Sequence, residues 1–152
     1  MNNIKVDKNI ELTTNSEGDS GIYDILIYGV HVGNIVISKK TSRKDSEILY
    51  NIDKHYQGNG YCVLAVRAVT EEFLKNGMKL EIKPLKIKAV YEVSSHVAEK
   101  SGYIQDPRTR NYFLTGIDVS NKENALKQYK ERLKRIDDNE TKQNKDNIEL
   151  KK

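Results

Sequence analysis

"EILYNIDKHYQGNGYCVLAVRAVTEEFLKNG", residues 47–77, decides the fold. Glu47–Asp53 alternates, with Ile48, Tyr50 and Ile52 on one parity, and reads as a strand. Tyr61 to Asn76 contains no Gly or Pro. Leu64, Ala65, Ala68, Val69 and Phe73 recur there at helical spacing, with Val66 widening the stripe, and Asn76-Gly77 supplies a stop. Between strand and helix stand Gly58 and Gly60, one residue apart. Beyond the helix, "MKLEIKPLKIKAV" (78–90) is strand-like again, with Pro84 inside it and a slip in parity. Pro cannot donate to a sheet ladder, so a break at Lys83–Pro84 is expected. Strand, helix and strand in this order imply a parallel pair joined right-handedly.

Working outward, "IYDILIYGVHVGNIVIS" (22–38) reads as a hairpin, Tyr23–Tyr28 pairing with Gly33–Ser38. Ile10–Thr14 is a further strand in an otherwise polar start. "SSHVAEKSGY" (94–103) reads as a short helix, capped by Ser94 or Ser95 and ended by Gly102. "NYFLTGID" (111–118) is the last strand. Leu126, Tyr129, Leu133 and Ile136 then step along one face of an amphipathic helix. From Asn139 apolar residues are scarce and disorder is expected. The fold class is therefore α/β, a mixed sheet: one domain over 1–120, a helix over 121–138 and a tail over 139–152.

Composition narrows the function classes. The chain has 152 residues, 26 Lys/Arg and 22 Asp/Glu. Ten of those bases and seven of those acids lie from Asn121 onward, leaving sixteen against fifteen before it. A body so nearly neutral is no basic platform, which argues against nucleic acid as a partner. The single cysteine, Cys62, allows no intrachain disulfide, and His31, His55 and His96 are far apart, so no metal site is expected. "MNNIKVDKNIEL" lacks the apolar core of a signal peptide, and no run approaches the ~18 apolar residues of a membrane span. These features point to a cytoplasmic protein.

Several readings of "HYQGNGYC" (55–62) compete. A connection that happens to use glycine is the plainest. A dinucleotide fingerprint fails because its last glycine position is Val63, and a phosphate-binding P-loop fails because no Gly-Lys-Ser/Thr is present. A pyrophosphate cradle of another kind fits better. A helix N-terminus presents unpaired N–H groups and partial positive charge, and small residues ahead of it let an anion approach. No Ser, Thr or Asp stands where it would cap this helix.

At this point the sequence resembles a known family. Residues 47–77 resemble the central motif of the GNAT acetyltransferase superfamily, whose Gln/Arg-x-x-Gly-x-Gly/Ala signature falls on Gln57, Gly60 and Cys62. "SSHVAEKSGY" is similar to a second hallmark, Ser-x-x-Val-x-Glu-Lys-x-Gly-Phe, at Ser94, Val97, Glu99, Lys100, Gly102 and Tyr103. The nearest branch looks like the one that acetylates ribosomal-protein N-termini, and the likeness runs from about Ile22 to Ile117. Departures are Cys62 for Gly or Ala, Tyr91 for an Asn that contacts coenzyme A, and Ala98 where many members carry a tyrosine acid. The segment before the hairpin is also shorter than the helices that usually wall the acceptor site.

The resemblance implies an enzyme with acetyl-CoA as co-substrate and a primary amine as acceptor. It places pyrophosphate on the backbone of Gln57, Gly58, Asn59, Gly60, Tyr61 and Cys62, and pantetheine along Asn51 and Ile52. Candidate catalytic residues are Glu47 as base and Ser94 or Tyr91 as proton donor, with Tyr103 and His55 as further candidates. A homodimer through the tail helix is a further expectation. The alternative is a non-catalytic acyl-CoA-binding or interaction module with the same fold.

Overall fold

The computed structural model describes residues 3–14, 21–39, 46–56, 60–82 and 95–150, with the backbone alone described at 38–39, 46–47 and 143–150. The elements run β1 (Ile4–Lys5), β2 (Ile10–Thr14), β3 (Gly21–Ile27), β4 (Val30–Lys39), β5 (Ser46–Ile52), a 3-10 turn (Lys54–Tyr56), α1 (Tyr61–Lys75) and β6 (Leu80–Ile82). Then come α2 (95–100), β7 (Ile104–Gln105), β8 (Tyr112–Phe113) and α3 (Lys122–Leu150). The strands form one mixed sheet in the order β1-β2-β3-β4-β5-β6-β8-β7. Its parallel pair is β5 with β6, Ser46 to Ile48 against Leu80 to Ile82, and α1 crosses between them as the sequence pattern requires.

Alternation decides which face is covered. Tyr23, Ile25, Ile27, Ile35, Ile37, Ile48, Tyr50 and Ile52 are buried, as are Leu80 and Ile82. The α1 residues Cys62, Ala65, Val66, Val69, Thr70, Phe73 and Leu74 are buried with them. Leu64, expected in the buried stripe, is 38% exposed, because the stripe that packs is centred on Cys62, Val66, Val69 and Phe73. On the other parity, Ile22, Val36 and Leu49 form one register-paired row across β3, β4 and β5. Ile22 there is 47% exposed.

The hairpin is tighter than its two glycines suggest. β3 and β4 are joined by Tyr28 and Gly29 alone, with φ of 51° and 79°. Both central residues being left-handed matches the twist of the flanking strands. A bulge lets Ile25 pair with Gly33 and Leu26 with His31, so Val32 stands unmatched. With a turn of only two residues, the partner strand begins at Val30 and not at the expected Gly33. Tyr28 is strained there, since an L side chain in this conformation costs about 1 kcal/mol or more. Tyr28→Asn is expected to raise stability by about 1 kcal/mol in urea unfolding, with Tyr28→Gly close behind. Destabilisation by both would show that the exposed ring contributes more than the strain removes.

After α2, Gly102 turns the chain with φ of 83°, and β7 pairs with β8 as an edge hairpin. α3 then returns over α1 and α2. Ala125, Tyr129 and Leu133 are buried on it, so the apolar stripe packs on its own domain. The hydroxyl of Tyr129 donates to Ser101 O at 2.5 Å, and Arg132 donates to Gly102 O and Thr115 O. The helix continues to Leu150 through the segment from Asn139 where disorder was expected. No Gly or Pro interrupts 122–150, and Lys100 pairs with Glu140 at 2.6 Å. Helical continuity there needs no apolar face.

Arg67 of α1 joins three helices. Its Nε and Nη2 donate to Lys100 O at 3.0 and 2.6 Å, satisfying a carbonyl at the end of α2. Its Nη1 and Nη2 also donate to the Asp137 carboxylate at 3.0 and 2.8 Å, a bidentate pair. The hydrogen bond from Arg67 holds the Asp137 carboxyl below its usual range. A depressed carboxylate adds stability above its unfolded value of about 3.9, and that stability is lost as pH falls through the folded value. Arg67→Met is expected to lower the melting temperature at pH 7. Below about pH 4 its gap to wild type narrows without closing, because the bonds to Lys100 O remain. A gap independent of pH between 7 and 3 would show that the carboxylate contributes nothing.

Candidate active site

The site is built where β5 ends and α1 begins. β5 pairs with β4 along its whole length, with Asn51 opposite Asn34 and Ile52 opposite Gly33. On its other side, described pairing with β6 covers only Ser46–Ile48, so β5 runs four residues further, Leu49 to Ile52. Asn51 is exposed and Ile52 buried. The chain then turns: Asp53 N donates to Val32 O at 2.6 Å, and Tyr56 N to Asp53 O at 2.8 Å. His55 is exposed, its N–H donating to Asp53 Oδ1.

Gly60 is the N-cap of α1, with φ of 76°, and no side chain caps the helix. The first intrahelical bond is Leu64 N to Gly60 O at 3.1 Å. The N–H groups of Tyr61, Cys62 and Val63 therefore have no partner within the helix, and they carry the positive end of its dipole. The first turn holds no acidic residue that would oppose an anion. Among the described residues, a Cβ built on Gly60 would meet nothing within 4 Å. These features suit a phosphate group approaching the backbone.

The rings of Tyr56 and Tyr61 meet at 6.4 Å between centroids, tilted by 48°, and both side chains are partly buried. They tie together the two anchor points between which Gln57, Gly58 and Asn59 lie. Those three residues fall outside the described set. Cys62 is 7% exposed, and burial pushes its thiol up to about 12. It is a protonated filler at neutral pH, as its small size at a Gly/Ala position implies.

The catalytic candidates divide differently. Glu47 lies on β5, register-paired with Ser38 of β4 and Glu81 of β6. Tyr91 and Ser94 lie outside the described residues, as do Pro84 and the strand positions Leu85 and Ile87. Tyr103 is buried, and its hydroxyl lies 2.7 Å from Thr70 Oγ1, which itself donates to Val66 O. It is a core residue tying α2's end to α1. Ala98 is fully buried in the same layer, where a tyrosine would have to displace neighbours.

Glu81 was missed in the sequence. It is a fully buried carboxylate on β6, with Ile82 and Leu80 buried on either side. The signal was Leu80-Glu81-Ile82 in a strand flanked on both sides by sheet, where an acid cannot reach water. Among the described residues no group of three or more His, Cys, Asp or Glu could hold a metal ion, and no helix is long and apolar enough to cross a membrane.

No family model matches the chain, and no curated protein does. Solved structures do. RimL, the ribosomal L7/L12 alpha-N-protein acetyltransferase, in complex with coenzyme A superposes with a TM-score of 0.60 at 14% identity, over 73% of this chain and 96% of that one. An acetyl transferase of Salmonella typhimurium that modifies the N-terminal serine of the same ribosomal protein gives 0.58 at 16% identity, over 68% and 86%. RimJ of Mycobacterium smegmatis, in complex with CoA-disulfide, gives 0.50 at 14% identity, over 69% and 59%. The strand–helix–strand unit with an open, uncapped helix N-terminus thus sits in an architecture those enzymes share: the chain has the fold of the GNAT acetyltransferases.

Proposed function

We propose that the chain is an N-acetyltransferase that moves the acetyl group of acetyl-CoA to a primary amine. The observation that carries this reading is the N-terminus of α1. Gly60 is left-handed and uncapped, no described residue crowds the position of its Cβ, and it follows the strand along which a pantetheine arm would lie. The relatives in fold include structures holding coenzyme A.

In this reading the pyrophosphate rests on the backbone of residues 57–62, and pantetheine pairs with the end of β5 at Asn51 and Ile52. A backbone N–H near Ile52 polarises the thioester carbonyl and stabilises the tetrahedral oxyanion. The neutral amine attacks the carbonyl carbon, the C–N bond forms, the C–S bond breaks, and the thiolate leaves. Glu47 takes the proton from the amine, directly or through water. Tyr91 or Ser94 supplies one to the thiolate.

The acceptor amine must arrive deprotonated. A peptide α-amine titrates near 8 and a lysine near 10.4, a difference of about 3 kcal/mol in the cost of deprotonation at neutral pH. This favours a peptide N-terminus over lysine as acceptor. The face carrying Ile22, Val36 and Leu49 lies on the side opposite α1 and offers an approach for it.

The direct test has two stages. Calorimetric titration with acetyl-CoA should show saturable binding, and thiol release across a panel of peptides, polyamines and small amines should show turnover with at least one acceptor. Absence of binding at millimolar ligand, with the protein folded, overturns the reading. Binding without turnover by any acceptor favours the non-catalytic module.

A further inference from the structure

A cavity of about 370 Å³ opens beside Gly60 and runs along α1 to Arg67. That is seven residues, about 10 Å of helix. α2 contributes His96 and Lys100 to its wall, and α3 contributes Asp137 and Glu140. Its position matters because a diphosphate resting at Gly60 has two ends. One leaves along β5 as pantetheine. The other, the nucleotide, must leave on the far side of the cradle, and this cavity begins there.

The wall is charged in a particular way. Arg67 and Lys100 are the cations an anionic nucleotide would attract. Each is already engaged by α3: Arg67 Nη2 lies 2.8 Å from Asp137 Oδ1, and Lys100 Nζ lies 2.6 Å from Glu140 Oε2. The cations are the less accessible members of both pairs, with side chains 15% and 24% exposed against 52% and 49% for the carboxylates. The acids are therefore the charges of this wall that solvent reaches most readily. Two positive and two negative charges balance.

We propose that Asp137 and Glu140 of α3 set the nucleotide specificity of this chain. By holding Arg67 and Lys100, they leave the cavity wall electrically neutral towards the 3′-phosphate of coenzyme A. The chain then accepts the nucleotide end with or without that phosphate. The inference rests on the acetyltransferase reading and adds to it a discrimination that α3 controls. Specificity is a difference of affinities, and a pair of acids holding two bases is an element that reduces it.

The test compares coenzyme A, dephospho-CoA and pantetheine by calorimetry on the full chain and on the double variant Asp137→Asn/Glu140→Gln. Both substitutions keep side-chain size. Wild type is expected to bind coenzyme A and dephospho-CoA within about threefold. The double variant exposes two unbalanced cations, and at about 1 kcal/mol or less per exposed pair the preference for coenzyme A should rise to about tenfold. Pantetheine, which carries no phosphate, reports any general loosening of the site, and the ratio of the two nucleotides cancels that loosening. A strong wild-type preference for coenzyme A, or a ratio unmoved in the variant, overturns the assignment to α3 while leaving the acetyltransferase reading in place. Wild type binding neither nucleotide overturns both.

Discussion

Gly33→Ala is expected to destabilise the protein by about 3 kcal/mol, near the upper end for forcing an added carbon into a packed site. For a chain of this size that lowers the melting temperature by roughly 6–12 °C. The reason is space. A Cβ on Gly33 would lie 2.8 Å from Ile52 Cα and closer still to Asn51 O. Both are backbone atoms of β5, so no rotamer change relieves the clash. The crowding follows from the bulge at Val32, whose carbonyl receives Asp53 N and draws the end of β5 across β4. Because Asn51 and Ile52 are also the proposed pantetheine partners, the variant should lose about tenfold or more in kcat/KM, ~1.4 kcal/mol. That loss is measured well below its melting temperature. Gly29→Asn is the control, since Gly29 has φ of 79° but open space around a Cβ, and asparagine tolerates that backbone. A Gly33→Ala protein that melts within about 2 °C of wild type would mean β5 can move freely, and the site would not be preorganised.

Gly33 also shows where sequence reading stops. The hairpin was legible from alternation, but the glycine's role depends on a third strand nineteen positions away. In the sequence it read only as the first residue of the hairpin's second strand. The turn actually uses Tyr28, a residue whose chemistry gives no hint of a left-handed backbone. The central unit was legible because each of its signals is local: alternation in β5, a run without Gly or Pro in α1, and Asn76-Gly77 at its end. The observed α1, Tyr61–Lys75 with Asn76 as cap, matches that reading closely. The missing cap was legible too, because the absence of Ser, Thr or Asp is a property of the text.

Charge across helices was not legible. Arg67 looks like an exposed residue on α1, and Asp137 like one of several acids in a polar tail. Only the fold brings the two within hydrogen-bond distance, across seventy positions of sequence. Composition likewise gave no sign that α3 runs on through the segment from Asn139, because helical continuity is carried by backbone bonds and by ion pairs such as Lys100–Glu140, not by apolar content. The catalytic candidates are legible only through resemblance. Glu47 is on the expected strand, and its register partner Glu81 adds a buried acid that no motif marks.

The second large effect concerns Gly60, where folding and binding can be separated. With φ of 76° it occupies a conformation that costs most side chains about 1–2 kcal/mol. Gly60→Val, being β-branched, should incur that cost and destabilise the fold measurably. Gly60→Asn should not, because asparagine visits this region readily, and among the described residues nothing lies within 4 Å of the new Cβ to clash with it. Both variants nonetheless fill the space through which a phosphate would reach the N–H groups of Tyr61, Cys62 and Val63. Each is therefore expected to weaken acetyl-CoA binding by about thirtyfold or more, some 2 kcal/mol. The asparagine variant should do so with a melting temperature close to wild type. Pantetheine binding, which needs no phosphate contact, should change little in that variant. If Gly60→Asn binds acetyl-CoA within about threefold of wild type, under ~0.7 kcal/mol, the open N-terminus of α1 is not where the pyrophosphate rests. The left-handed, uncapped Gly60 would then be no more than a way of starting the helix.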